Sequence, residues 1–519
     1  MTRAFSFYLP MLKVIFSSVV IVCFVLVACK TRETVIDEET LFLTHCGGCH
    51  ALPDPASLPK AAWEEGVLPE MAARLGVRFG GYDPFANLSM EDAHYVHESG
   101  VYPQSPSIDS SAWWRLHDYI LRRAPDKFPV DATIRQQRDT LTLFRAQGLP
   151  SFAGKRTSTT ALSFSTTDKT FIVGNTRGEV HRWPFKEGAD SVGLTSPVVA
   201  YCKTETGQYI TEVGILNPSE VAEGRLHLRS HERTGIIDEI IADRLHRPVH
   251  TTIVDLNADG TEEAVVSEFG NYTGELSLHR RIPRGWEKQT IIPLPGVVRT
   301  MIIDFDGDEK LDLISLLAQG REGIYVSYQM NDLNFRTEQI LSSPAVYGSS
   351  WFDYVDMDED GDKDFVVASG DNADYSNVLK PYHGFRIYNN DGANNFQEIY
   401  HYPAYGATRF EIADFDQDGS KDIALMAYFP DFSDSNPVGF ILLLQRDGND
   451  TYNFDDQVTP ATANGRWLVM AQGDHDEDGD TDLMLGAFFL PPPQDSLGHA
   501  QRWAKEGTDL LLLENTLRD

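Results

Sequence analysis

One acidic loop of nine residues recurs five times in this chain, always between two short apolar runs, and no other feature limits the possible folds as strongly. The copies are Asp255-Leu-Asn257-Ala-Asp259-Gly-Thr-Glu-Glu263, Asp304-Phe-Asp306-Gly-Asp308-Glu-Lys-Leu-Asp312, Asp356-Met-Asp358-Glu-Asp360-Gly-Asp-Lys-Asp364, Asp414-Phe-Asp416-Gln-Asp418-Gly-Ser-Lys-Asp422 and Asp474-His-Asp476-Glu-Asp478-Gly-Asp-Thr-Asp482. Their starts lie 49, 52, 58 and 60 residues apart, a spacing that suits one four-stranded propeller blade per copy. Two strand-rich units without the loop, 161–183 and 209–229, precede them and bring the predicted count to seven; six and eight are the alternatives. The last blade ends at Leu510-Leu-Leu-Leu-Glu514. Thr140-Leu-Thr-Leu-Phe144 is the segment predicted to supply its missing outer strand and close the ring.

The spacing inside the loop has a chemical reading. Carboxylates at positions 1, 3, 5 and 9, with a backbone carbonyl at 7, can wrap oxygen ligands around one Ca²⁺, and glycine at position 6 permits the sharp turn. An EF-hand would need a longer loop ending in glutamate and flanking helices, whereas these loops sit between strands such as Thr252-Ile-Val254 and Phe365-Val-Val367. Asn257 and Glu263 soften the first loop, and Glu309 replaces glycine in the second, where Gly307 stands nearby. The expectation is therefore up to five bound Ca²⁺ ions. The loops hold 25 of the chain's 77 acidic residues, so much of the formal charge of -33 belongs to them, and five Ca²⁺ would bring it to -23. That acidity argues against nucleic acid as a partner.

The N-terminus reads as an export signal. Arg3 and Lys13 precede an apolar run from Val14 to Ala28, too short for an ordinary membrane span. Leu26-Val27-Ala28-Cys29 resembles a bacterial lipobox, which implies cleavage before Cys29 and lipid on its thiol; an uncleaved anchor helix is the alternative. Either way the expectation is a membrane-tethered protein of the cell envelope, with residues 1–28 as signal and 29–38 as tether. Five cysteines in 519 residues do not make a disulfide framework.

Cys46-Gly-Gly-Cys49-His50 is the c-type haem attachment motif. Two thiols on one helical turn reach the two vinyl groups of one haem edge, and the adjacent His50 then sits under the iron. A zinc site would need a second pair of cysteines, which the chain lacks. Residues 39–126 are predicted as a small all-α domain: a helix over 38–44, an amphipathic helix over 60–75, a helix capped by Ser89 and Asp92, and a closing helix over 110–123. Pro53 is the expected carbonyl partner of the proximal imidazole. Met71 is the chosen sixth iron ligand, against Met90, His94, His97 and His117.

Residues 127–137 read as a linker and 138–519 as the repeat domain. Within the repeats, His250, Arg299 and Arg409 each stand five residues before the first aspartate of their loop, and Arg466 stands near that position. The innermost strands of a propeller line its channel, so these four side chains are predicted to crowd one channel mouth. Long connections such as 268–272, 370–383 and 428–431 should surround it.

The acidic loops resemble the FG-GAP/VCBS repeats of integrin-like propellers. With Cys46 to His50, Trp63, Val67-Leu-Pro-Glu-Met71 and Asn372-Ala-Asp-Tyr375 followed by Lys380-Pro-Tyr-His383-Gly384, the whole chain resembles the cytochrome c–VCBS repeat lipoproteins of Bacteroidetes-type bacteria. The resemblance implies a mainly β fold, a seven-bladed calcium-binding propeller preceded by a small all-α cytochrome c domain with one covalent haem c. It brings no activity with it. Two functions stay open: an electron-transfer protein whose propeller docks a redox protein or other donor of the envelope, and a haem-coupled oxidoreductase with its substrate at the channel mouth. Whether the chain is an enzyme is left open at this point.

Overall fold

A computed structural model describes residues 36–128, 134, 138–149, 158–185, 193–232, 235–371, 376–446, 452–492 and 495–518. The signal segment, Cys29, most of the tether, much of the linker and the 372–375 loop lie outside these residues. Among the described residues no helix is long and apolar enough to cross a membrane.

Residues 139–515 form seven sheets arranged as the blades of a β-propeller. Blade 1 has three described strands (Thr159–Ser165, Thr170–Asn175, Val180–Trp183), and blade 2 runs from Val198–Lys203 to Gly235–Leu245. Blades 3 to 6 begin with Pro248–Val254, Val297–Ile303, Ser349–Val355 and Ala407–Ala413, and blade 7 with Trp467–Gly473. These first strands pack against one another around the ring, blade 7 against blade 1 included. Their residues are mostly half-buried because one face looks into the channel. Second strands such as Asp312–Leu317 and Asp422–Ala427 are buried along their whole length, as their unbroken apolar runs require when blades cover both faces. Outer strands such as Asn334–Ser342 meet solvent.

The ring closes between the two ends of the repeat domain. Phe144–Leu149 pairs antiparallel with Leu510–Asn515 as the outer strand of blade 7. This corrects the predicted donor, 140–144. Leu141 and Phe144 both bury in the core between blades 6 and 7, so the chain bends between them, and Asp139–Thr140 instead pairs parallel with Gln457 and Val458 on blade 6. Helix His499–Glu506, which the sequence reading missed, fills the last connection of blade 7. There Trp503 is fully buried and its Nε1 donates to the Ala463 carbonyl at 2.9 Å.

The N-terminal unit is helical. Helices Glu38–Cys46, Leu68–Arg74 and Ser110–Arg123 enclose an apolar core of Leu41, Phe42, Trp63, Leu68, Trp113 and Leu116, and helix Met90–Ser99 lies outside that cluster. The predicted helix over 60–75 is interrupted: Trp63–Val67 forms a wide π turn, in which Leu68 N donates to Trp63 O. Pro69 explains the break, since it has no N–H to give to Glu65. Asp37, Ser89 and Asp109 cap their helices by accepting backbone N–H bonds.

This unit sits on the propeller face opposite the acidic loops. Asp92 accepts bonds from Ser219 Oγ and Glu220 N at 2.7 and 2.8 Å, Tyr382 Oη donates to Ser57 O at 2.8 Å, and Tyr102 Oη lies 3.2 Å from Tyr272 Oη. Val346 and Val378 pack against its apolar core.

Trp467 opens the first strand of blade 7, is fully buried, and its indole N–H donates to Thr462 O at 2.7 Å. Trp467→Ala is expected to cost about 3–5 kcal/mol of stability, read as a lower denaturant midpoint; an unchanged midpoint would remove this side chain from the closing core.

Candidate functional site

Helix Glu38–Cys46 ends at the first cysteine, and Gly47 to Cys49 turn away from it. Cys46 is half-buried against the helical core, Cys49 is exposed and His50 is half-buried. Burial pushes the Cys46 thiol up to about 12, so it stays neutral. His50 Nδ1 lies 2.8 Å from the Ala51 carbonyl, to which it donates in the tautomer that leaves Nε2 as a free ligand atom. The carbonyl that holds the imidazole is therefore the adjacent Ala51 rather than the predicted Pro53, because the chain turns back at once. Met71 packs on the same apolar cluster as Cys46. Met90 is 94% exposed, and His94 and His97 are also exposed. His117 is buried against Phe79 and Trp114. Trp113 Nε1, in the core that holds Cys46 and Met71, is buried with no acceptor among the described residues. A half-buried thiol, a thioether and an orphaned N–H donor on one apolar core, with an imidazole four residues along the chain from the thiol, are groups that a covalently held haem can use.

The five acidic loops share one conformation. Position 1 accepts backbone N–H bonds from across the loop, as Asp255 does from Asp259 and Gly260, and Asp414 from Asp418 and Gly419. Position 6 is left-handed, with φ of 88°, 100°, 98° and 94° at Gly260, Gly361, Gly419 and Gly479, and 69° at Glu309. Position 4 is left-handed as well, at Ala258, Gly307, Glu359, Gln417 and Glu477, which the sequence pattern did not reveal. Carboxylate oxygens of Asp304, Asp306 and Asp308 come within 4.8 Å of one another, as do those of Asp356, Asp358 and Asp360, of Asp414, Asp416 and Asp422, and of Asp474, Asp476 and Asp478. The first loop, carrying Asn257, forms no such group among the described residues. Asp356 Oδ1 and Asp474 Oδ1 are buried without a partner. Burial, with neighbouring carboxylates, raises Asp312, Asp358, Asp364 and Asp476, and takes Asp422 up to about 7. Crowded, partly desolvated oxygens of this kind suit a hard divalent cation.

Position 9 has a second task. Asp312, Asp364, Asp422 and Asp482 are buried, and each accepts one amide from position 2 of its own loop and one from the third strand, as Asp364 does from Met357 N and Asn390 N. Glu263 accepts the corresponding amide of Leu256.

The channel gathers three of the four predicted residues. His250, Arg299 and Arg409 line a cavity of about 370 Å³ together with Trp351 and Glu411. The guanidinium carbons of Arg299 and Arg409 lie 4.2 and 3.8 Å from the Trp351 ring centre. Burial, with both arginines nearby, pushes His250 down to about 3, so its ring is neutral. Burial also lifts Glu411 to about 7, against the pull of Arg409 and Arg299. Arg466 is the exception. It is buried against Tyr428 and donates to the carbonyls of Tyr428 and Leu490 at 3.0 and 2.9 Å, which turns it into the wall between blades 6 and 7. Two contributors escaped the sequence reading. Trp351 occupies the position five residues before Asp356, and Glu411 follows Arg409 by two, on the same face of its strand.

Fold and sites together define a seven-bladed β-propeller carrying an N-terminal helical unit. Residues 304–367 match the FG-GAP-like repeat family. No curated protein matches the chain. Among solved structures, Sqt1 of Saccharomyces cerevisiae superimposes with TM-score 0.39 and 8% identity, over 68% of this chain and 83% of that one. An ancestral GH74 enzyme does so with TM-score 0.42 and 12% identity, over 72% of this chain and 51% of that one.

Asp364→Ala would strip two buried amides of their acceptor. It is expected to cost about 2–5 kcal/mol, measured by denaturant unfolding, and a loss below about 1 kcal/mol would contradict the bridging role.

Proposed function

We propose that this protein is an electron-transfer lipoprotein of the cell envelope, in which haem c is attached at Cys46 and Cys49 and a calcium-stabilised propeller docks the redox partner. The observation that carries the reading is the placement of Cys46 and Met71 on one apolar core, beside a His50 ring with one nitrogen free. When bound, the haem would supply reversible one-electron transfer. The chain's own residues do the rest. Cys46 and Cys49 would hold the group covalently, His50 and Met71 would offer a nitrogen and a sulfur to its iron, and the Ala51 carbonyl holds the imidazole in the tautomer this needs. The exposed Cys49 side leaves one edge of the site near solvent, where a donor or acceptor protein can approach. Cys29 carries the lipid that ties the protein to its membrane.

Calcium belongs to the same reading as a structural element. Asp304, Asp306 and Asp308, and their counterparts in the later loops, would hold the ions at the face away from the helical unit. The first loop is the weakest site because Asn257 brings no charge.

Expressed with a haem-attachment apparatus, the protein should partition with membranes and keep its haem after denaturation, with a potential that falls on Met71→Ala. Replacing Cys46 and Cys49 by alanine should abolish covalent haem. Protein that folds and stays haem-free in such a host defeats the electron-transfer reading.

Chelation of divalent cations should lower the melting temperature by several degrees, with Ca²⁺ restoring it. An unchanged melting curve would remove calcium from the account and leave the haem untouched.

A further inference from the structure

We propose that the central channel binds a small oxyanion ligand, a carboxylate or a phosphate, held by the guanidinium groups of Arg299 and Arg409. The first strands of blades 4, 5 and 6 place Arg299, Trp351 and Arg409 at one register position, each five residues before the first aspartate of its loop. The indole from the middle blade lies against both cations. A guanidinium carries its N–H donors in its plane, so stacking occupies a face and leaves the donor rim available.

Those donors are only loosely answered. Among the described residues Arg409 Nε is buried with no hydrogen-bond partner, and Glu411 Oε1 stands 4.0 Å from it, within ion-pair reach but too far for a hydrogen bond. The partner found for Arg299 is a neutral carbonyl, that of Phe352. His250 Nδ1, close enough to feel both arginines, is also buried without a partner. Unanswered donors of this kind are costly unless something in the channel answers them. The cavity of about 370 Å³ is at the small end of ligand sites and has room for a molecule of several non-hydrogen atoms. A planar carboxylate or a phosphate presents paired oxygens that match the guanidinium rim.

Glu411 sets the competition. It faces Arg409 on its own strand, Arg299 and Asp353 from blades 4 and 5, and the neutral His250 lies beyond the arginines. Below about pH 7 its carboxyl is neutral and leaves the arginines to the ligand. Above that it ionises, pairs with Arg409 and opposes an incoming anion. Binding near neutral pH is therefore accompanied by proton uptake.

The test is calorimetric titration of the full chain with sodium succinate and, separately, sodium phosphate, at pH 6 and pH 8. Saturable binding of at least one probe is expected, lost when Arg299 and Arg409 are both changed to Gln; succinate, whose own charge changes little over this range, should bind about tenfold more weakly at pH 8. Succinate alone would identify a carboxylate site, and phosphate alone a phosphate site. Binding of neither probe, or binding that survives the double substitution, overturns the proposal. Should that variant fail to fold by circular dichroism, the single substitutions Arg299→Lys and Arg409→Lys are titrated instead, and unchanged affinity in both overturns it. None of these readouts involves the haem, so the result stands apart from the electron-transfer reading.

Discussion

The rest of the propeller depends on one interaction, a buried carboxylate at the foot of each later blade. At Asp312, Asp364, Asp422 and Asp482 one oxygen takes an amide of the acidic loop and the other an amide of the third strand. A charge-assisted bond to backbone contributes roughly twice what a neutral one does, and these lie where water cannot compete. Three elements are thereby fixed at one point: the curl of the loop, the start of the second strand and the end of the third. The first strand inherits its register from that point. Its residue five before the loop consequently always reaches the channel, whether it is His250, Arg299, Trp351 or Arg409.

Much of this was legible in the sequence because repetition removes ambiguity. Five loops with the same spacing dictated strands on both sides, and their separation gave one blade per copy, while the count of seven needed two further units without the loop. The helix over 110–123 was equally plain from its apolar and aromatic stripe, and the structure adds Asp109 as its cap. What escaped depended on tertiary packing. Arg466 lies three residues short of the register position, and in the fold that offset turns it away from the channel toward Tyr428. Trp351 drew no notice in the sequence, and only the fold shows that its neighbours on either blade place cations against it. Nothing local told that Leu141 and Phe144 would both bury and displace the closing strand by several residues.

The helical unit and the propeller meet through buried acids as well. Glu70, almost fully buried, accepts from Tyr82, Tyr102 and Arg74, and Glu220 accepts the amides of Asn271, Tyr272 and Thr273 from the neighbouring blade. Each acid organises one side of the contact that Tyr102 and Tyr272 complete. The net negative charge of the chain is thus not only a surface property. A share of it is internal wiring, which fixes loops at both faces of the ring.

The closing strand carries a consequence for how the molecule is made. Arg145 and Glu514 form an ion pair across it, with 369 positions of chain between them. The entropy of joining such distant segments grows only slowly with separation, but the step itself must wait for both partners. A ribosome has to deliver nearly the whole propeller before its first and last strands can meet. Until then the completed blades stand in an open arc whose two end blades each leave an apolar flank uncovered. The ring is therefore an all-or-nothing product of synthesis, and its vulnerable period is the interval in which the arc waits for its final strand.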